Sequence, residues 1–144
     1  MSDYNRKVGL PPGTVVHVGT RRAENVTITI TDYSETEFDR TENASTDSCM
    51  KPSDEVLRWV HVNGVHDVDI IKQIGNNFDL HPLVIEDISS TQQRPRIELM
   101  EDSLYAVLRA FTYNDMDDSF FSEQVSIIIG TNYLVSFQET PQGI

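Results

Sequence analysis

Glu86 and Asp87 are the side chains of this sequence whose types and placement best suit chemistry. They stand side by side in the run His81-Pro82-Leu83-Val84-Ile85-Glu86-Asp87-Ile88, which reads as a short helix with no lysine or arginine inside it. Adjacent carboxylates repel each other, and water, a cationic side chain or a metal ion relieves the repulsion. Carboxylate oxygens are hard donors, so the matching ions are hard divalent cations; Mg2+ keeps several waters and commonly takes only one or two protein carboxylates. The pair therefore suffices for half of a Mg2+ site and not for a whole one. On spacing alone, a solvated acidic face is the plainer reading of the same two residues.

The helix that must present them is legible from its pattern. At the helical repeat, Val84, Ile85 and Ile88 share an arc of about 100°, while Glu86, Asp87 and Ser90 lie on the other side. Pro82 suits the first helical position, with His81 just before it. Leu83 falls among the acids, where an exposed apolar residue either stands alone harmlessly or faces another chain.

Other candidate residues carry less. Asp115, Asp117 and Asp118 alternate like part of a calcium loop, but the glycine and distal glutamate of that motif are missing, so a solvated turn is expected. His17, His61, His66 and His81 show neither His-Glu-x-x-His nor a paired-cysteine spacing, which leaves zinc chemistry without support. No nucleophile elbow, Walker loop or dinucleotide glycine fingerprint is present, and the chain is not read as an enzyme. Trp59 is expected in the core.

The 144 residues fit one domain with a real core, and 38% apolar content with clear β-rich runs argues against a disordered chain. The formal net charge is −12. Residues 1–22 hold Arg6, Lys7, Arg21 and Arg22 against Asp3, for +3, so the remainder carries −15. Such a body repels phosphate backbones and disfavours nucleic-acid binding. Cys49 is the only cysteine, which excludes a disulfide framework and suits a reducing compartment. Neither a secretory signal nor an 18-residue apolar run is found, so this stretch is not expected to enter a bilayer.

The remaining elements follow from periodicity and punctuation. Residues 1–13 read as a flexible tail ending in the Pro11-Pro12-Gly13 turn, followed by a short β candidate at Val15 to Val18. Val26-Thr27-Ile28-Thr29-Ile30-Thr31 alternates strictly and predicts a half-buried strand within residues 25–33. Ser34 to Asp39 suggests one or two helical turns, and residues 40–55 a mobile surface loop. A strand is predicted over residues 56–62 and a helix over 67–78, with Ile71, Ile74 and Phe78 on its inner face. Residues 96–113 form a long strand or hairpin, residues 114–118 an acidic loop, and residues 125–129 and 133–137 a hairpin about Gly130-Thr131-Asn132. This order implies an α/β fold: a mixed parallel and antiparallel sheet with helices packed on both faces, stopping abruptly at its C-terminal end as a fragment does.

Seven short runs, in order, resemble one known family. They are Gly9-Leu10-Pro11-Pro12-Gly13-Thr14; Trp59-Val60 with Gly64; His81 to Ile88; Gln93-Arg94-Pro95-Arg96-Ile97-Glu98; Phe111-Thr112-Tyr113; Glu123-Gln124-Val125-Ser126; and Phe137-Gln138-Glu139. Each is weak alone, but together they span nearly the whole chain and resemble the CorA family of magnesium channels. The resemblance implies the N-terminal cytoplasmic domain, residues 1–144, of a membrane protein whose long stalk helices and two transmembrane spans are absent here. It implies that Asp87, with Glu86 nearby, forms half of a regulatory Mg2+ site between subunits of a homopentamer, with partner carboxylates from the neighbour's stalk helix. Co2+ or another divalent ion is also compatible. Binding would cancel carboxylate repulsion and favour the closed pore. The alternatives left open are the equivalent domain of a zinc transporter and an acidic soluble interaction module without metal sensing.

Overall fold

A computed structural model describes residues 8–141 of the chain, so most of the expected tail and the last three residues lie outside the described residues. Seven strands form one sheet: β1 (Thr27–Tyr33), β2 (Phe38–Glu42), β3 (Leu57–Asn63), β4 (Arg96–Leu99), β5 (Leu104–Asn114), β6 (Ser119–Ile129) and β7 (Tyr133–Gln138). Their spatial order is β2-β1-β3-β7-β6-β5-β4. The β3–β7 pair is parallel and every other neighbouring pair antiparallel, so the expected mixed sheet is found. Two helices, α1 (Val68–Asn77) and α2 (Pro82–Ser89), follow β3.

The alternation in β1 decides which face of the sheet is inner. Ile28 and Ile30 stand opposite Val62 and Val60 of β3, which in turn stand beside Phe137 and Val135 of β7. These residues share one buried cluster with Ile71, Ile74 and Phe78 from α1 and with Val84, Ile85 and Ile88 from α2. Both helices therefore cover the same face. The helical cover expected for the second face has no counterpart among the described residues. That face carries Trp59, which lies outside the core: its indole N–H donates to Ser136 Oγ at 2.8 Å, and His61 Nδ1 meets the same hydroxyl at 2.7 Å. Its alternation with Val60 puts the ring on the opposite side of the strand from the helices.

Two further local expectations are corrected. Residues 34–39 form a turn and the start of β2 in place of helical turns. Ser34 Oγ accepts from Glu37 N at 3.1 Å, and Tyr33 pairs directly with Phe38. A serine followed by acids suits a helix start, but the same hydroxyl closes a β-turn equally well. Residues 40–55 are tied to the body, although their composition suggests a loose loop. Ala44 N donates to Ile28 O at 2.9 Å, a single 3-10 turn spans Thr46–Ser48, and Cys49 is fully buried. Arg58 holds the stretch by donating to Met50 O at 2.9 Å while pairing in two-pronged fashion with Asp32 at 2.6 and 2.7 Å. Burial pushes the Cys49 thiol up to about 11, which disfavours the thiolate. Strand β6 also begins at Ser119, six residues before the apolar run that announces it. The β5–β6 hairpin outreaches the hydrophobic core, and backbone pairing sets its length.

Candidate metal-binding ledge on the second helix

Helix α2 starts where its sequence says it should. His81 is the N-cap, its Nδ1 accepting from Leu83 N at 3.1 Å, and Pro82 occupies the first turn. Val84, Ile85 and Ile88 are buried, and Leu83 is exposed on the far side. Gly75 of α1 lets the two helices touch: a Cβ there would lie 2.5 Å from Ile85 Cδ1. This contact fixes α2 and places Glu86 and Asp87, both half-buried, along a ledge at the protein surface.

Each acid has a partner from outside the helix. The Pro11–Thr14 turn, closed by Thr14 N donating to Pro11 O at 3.1 Å, aims Gly13 N at Glu86 Oε2, 2.9 Å away. Gly13 has φ +82°, a left-handed conformation suited to glycine, so the turn that offers this N–H depends on its residue type. Asp87 Oδ2 accepts from the Arg96 guanidinium, which also donates through Nε to Glu98. The expectation of an uncompensated pair is therefore not met at Asp87. It considered only charges within the helix, whereas the cation arrives from β4, nine residues later. The intervening loop is held on both sides. Thr91 N donates to Val18 O at 2.9 Å, Gln93 N to Gln124 Oε1 at 3.0 Å, and Gln124 Nε2 to Asp87 O at 3.2 Å.

The donor chemistry of the ledge fits a hard cation that keeps most of its waters. Among the described residues no cluster of three or more acidic, histidine or cysteine side chains is arranged to hold a metal ion. The acids at 115–118 form the β5–β6 turn, where Ser119 Oγ donates to Asp117 Oδ1 at 2.6 Å and Tyr113 OH donates to Asp118.

A second acidic pair escaped the sequence reading. Glu123, within β6, and Glu139, just past the end of β7, are almost wholly buried. Glu123 accepts from Gln138 Nε2 at 2.7 Å and from Thr140 N at 2.9 Å; Glu139 Oε1 accepts from Gln124 N at 2.7 Å. Arg22 stands 3.3 Å from Glu139 Oε2, donates to Ser122 O at 2.7 Å and stacks over Phe121. Burial raises the Glu139 carboxyl above its ordinary 4.5, against the lowering effects of the Gln124 N–H and Arg22. The available signal was Glu123-Gln124 just before one β-rich run and Gln138-Glu139 just after the run that pairs with it, positions where polar residues need internal partners.

A family model described as "CorA-like Mg2+ transporter protein" matches residues 54–144. The cobalt/magnesium transport protein CorA of Thermotoga maritima is 38% identical over 134 residues, which cover 92% of this chain and 38% of that protein. The chain thus spans well under half the length of that relative. Among solved structures, full-length CmaX superposes with a TM-score of 0.61 at 16% identity, covering 85% of this chain and 37% of CmaX. The ZntB cytoplasmic domain of Vibrio parahaemolyticus superposes at 0.55 with 18% identity, covering 80% of this chain and 45% of that one. These two likenesses establish the fold.

Proposed function

This chain belongs to the family of CorA-like Mg2+ transporter proteins, and from that premise we propose that it is the cytoplasmic regulatory domain of such a transporter. In this reading the domain senses intracellular Mg2+ through carboxylates at a subunit interface and thereby gates the pore. The observation that supports it most is the pairing of Glu86 and Asp87 on a surface ledge beside exposed Leu83, with the ledge rigidly held by α1. Two carboxylates make half a coordination sphere, and a neighbouring subunit of a homopentamer would complete it. When bound, Mg2+ (or Co2+) supplies positive charge that offsets carboxylate repulsion between subunits. The chain's own part is electrostatic. Without that charge, the acids of the ledge and the neighbouring subunit's stalk carboxylates repel and the closed assembly loosens, a shift between two existing populations. No helix among the described residues is long and apolar enough to cross a membrane, so in this reading the pore lies in other parts of the polypeptide.

The deciding experiment is Asp87→Lys in the whole transporter, with Mg2+-dependent closure followed by flux. Closure should need markedly more Mg2+, or fail. Transport as Mg2+-sensitive as the parent's would remove Asp87 from the sensor. The fold shared with the ZntB domain supports a second reading, the equivalent domain of a zinc transporter. Repeating the flux measurement with Zn2+ in place of Mg2+ separates the two. An acidic module without metal sensing predicts no response to either ion.

A further inference from the structure

We propose that Gln124 is a positioning residue that fixes the C-terminal turn of α2 and ties it to Glu139, so that a change at the buried acidic pair reaches the ledge. The consequence for gating rests on the reading of Asp87 as part of a sensor, whereas the tie itself does not.

Gln124 lies within β6 and is almost wholly buried. Its side-chain amide holds the exit of α2 at two points. Nε2 donates to Asp87 O at 3.2 Å, and Oε1 accepts from Gln93 N at 3.0 Å. Nε2 also reaches Ser126 Oγ at 3.4 Å. The last carbonyls of a helix lack partners within it, and here one of them is capped from the sheet. Ser90 N donates to the same Asp87 O at 3.1 Å, so this peptide is gripped between helix and sheet. A primary amide donates and accepts through one rigid plane, so a tilt of the α2 exit turns the whole group.

The main chain of the same residue turns to the buried pair. The β6–β7 ladder ends with Val125 opposite Gln138, and one residue further on Gln124 N donates to Glu139 Oε1 at 2.7 Å. A side-chain carboxylate thus takes the N–H that the ladder leaves over, and a charge-assisted bond of this kind is stronger than a neutral one. Weakening it frees the Gln124 backbone, and the amide it carries moves with it. Other links cross the same gap. Arg22 stands 3.3 Å from Glu139 Oε2, and four residues earlier Val18 N donates to Ser89 O at 2.9 Å. Arg109 joins Thr91 O, at 2.9 Å, to Ser122 Oγ, at 3.1 Å. The first route runs through a stretch of main chain and the second ends at Ser122, whereas Gln124 bonds α2 and Glu139 within one residue.

The test is the amide spectrum of the isotopically labelled chain, with Glu139→Gln made in the parent and in Gln124→Met, which keeps the length of the side chain without its hydrogen bonds. The probes are the Ser90 and Gln93 backbone amides. In the parent, Glu139→Gln should move both resonances. In Gln124→Met the same substitution should move them at least about twofold less, since only the through-space effect of the lost charge remains. Resonances that stay still in the parent overturn the proposal whatever the variants do. So does equal movement in both backgrounds, which would assign the tie to Arg22 or Arg109. If Gln124→Met does not fold, Gln124→Glu takes its place, keeping an acceptor for Gln93 N and losing the donor to Asp87 O. The Ser90 response should then shrink, and an undiminished one overturns the proposal. Flux in the whole transporter separates the tie from the sensor. In Gln124→Met, closure should need about fivefold more Mg2+, the scale of one lost hydrogen bond. If it needs no more while Asp87→Lys removes the Mg2+ response, the tie has no part in gating. If Asp87→Lys itself changes nothing, the sensor reading fails and the amide spectra still decide the tie.

Discussion

Two acidic pairs sit about the same sheet and are handled in opposite ways. Glu86 and Asp87 lie half-exposed on α2, with a backbone N–H and an edge-strand guanidinium among their partners. Glu123 and Glu139 lie buried among Gln138, Thr140, Gln124 and Arg22. Water reaches the first pair, so its partners can be exchanged at modest cost. It scarcely reaches the second, so removing any partner leaves a charge or an N–H unsatisfied inside the protein. The same residue types therefore make an exchangeable pair in one place and a fixed strut in the other. Exposure decides which.

The largest expected effect breaks the strut. Glu139→Ala strands Gln124 N and leaves Arg22 without its carboxylate, and should cost about 3 kcal/mol of unfolding free energy by urea titration. A loss below about 1 kcal/mol would mean that water replaces the carboxylate and the pair is not a strut. Glu139→Gln keeps an acceptor while removing the charge, and it reads the pH dependence. A buried acid whose folded pKa is raised binds its proton more tightly in the native state. The stability it contributes is complete below the unfolded value near 4.5 and declines as pH rises through the raised folded value. The glutamine variant should lose that decline, so its stability should fall less than the parent's across this window. An unchanged slope would show that Glu139 titrates normally.

A smaller effect lies at the ledge. Gly13→Ala forces a Cβ into left-handed backbone at φ +82° and should cost about 1 kcal/mol, read as a lower urea midpoint with unchanged slope. Full parental stability would mean that the Pro11–Gly13 turn is not held as described. The smallest effect belongs to Asp87→Asn. Its pair with Arg96 is about a quarter exposed on both sides, and Glu98 remains to receive the guanidinium, so the loss should stay below about 1 kcal/mol. A loss equal to that of Glu139→Ala would erase the distinction between the two pairs.

Much of α2 was legible because its determinants are local. A proline at the first turn, a histidine able to cap, and apolar residues at helical spacing act within a few residues of one another. The alternation in β1 and the 67–78 helix are of the same kind, and Ile28, Ile30, Ile71 and Ile74 are buried as their pattern requires. The turn at Ser34 failed because one hydroxyl serves a helix start and a β-turn alike. The 40–55 stretch failed because its anchors, Ile28 O and the Arg58 guanidinium, lie outside it and hold it through space.

The sequence by itself determined that two carboxylates would stand together on an amphipathic helix, on the side away from its apolar arc, and that this helix would belong to a mixed sheet. Only the tertiary structure decided what surrounds those carboxylates. Charges act through space, and the chain's path brings Arg96 to Asp87, Gly13 to Glu86 and Arg22 to Glu139 across separations that no local pattern encodes.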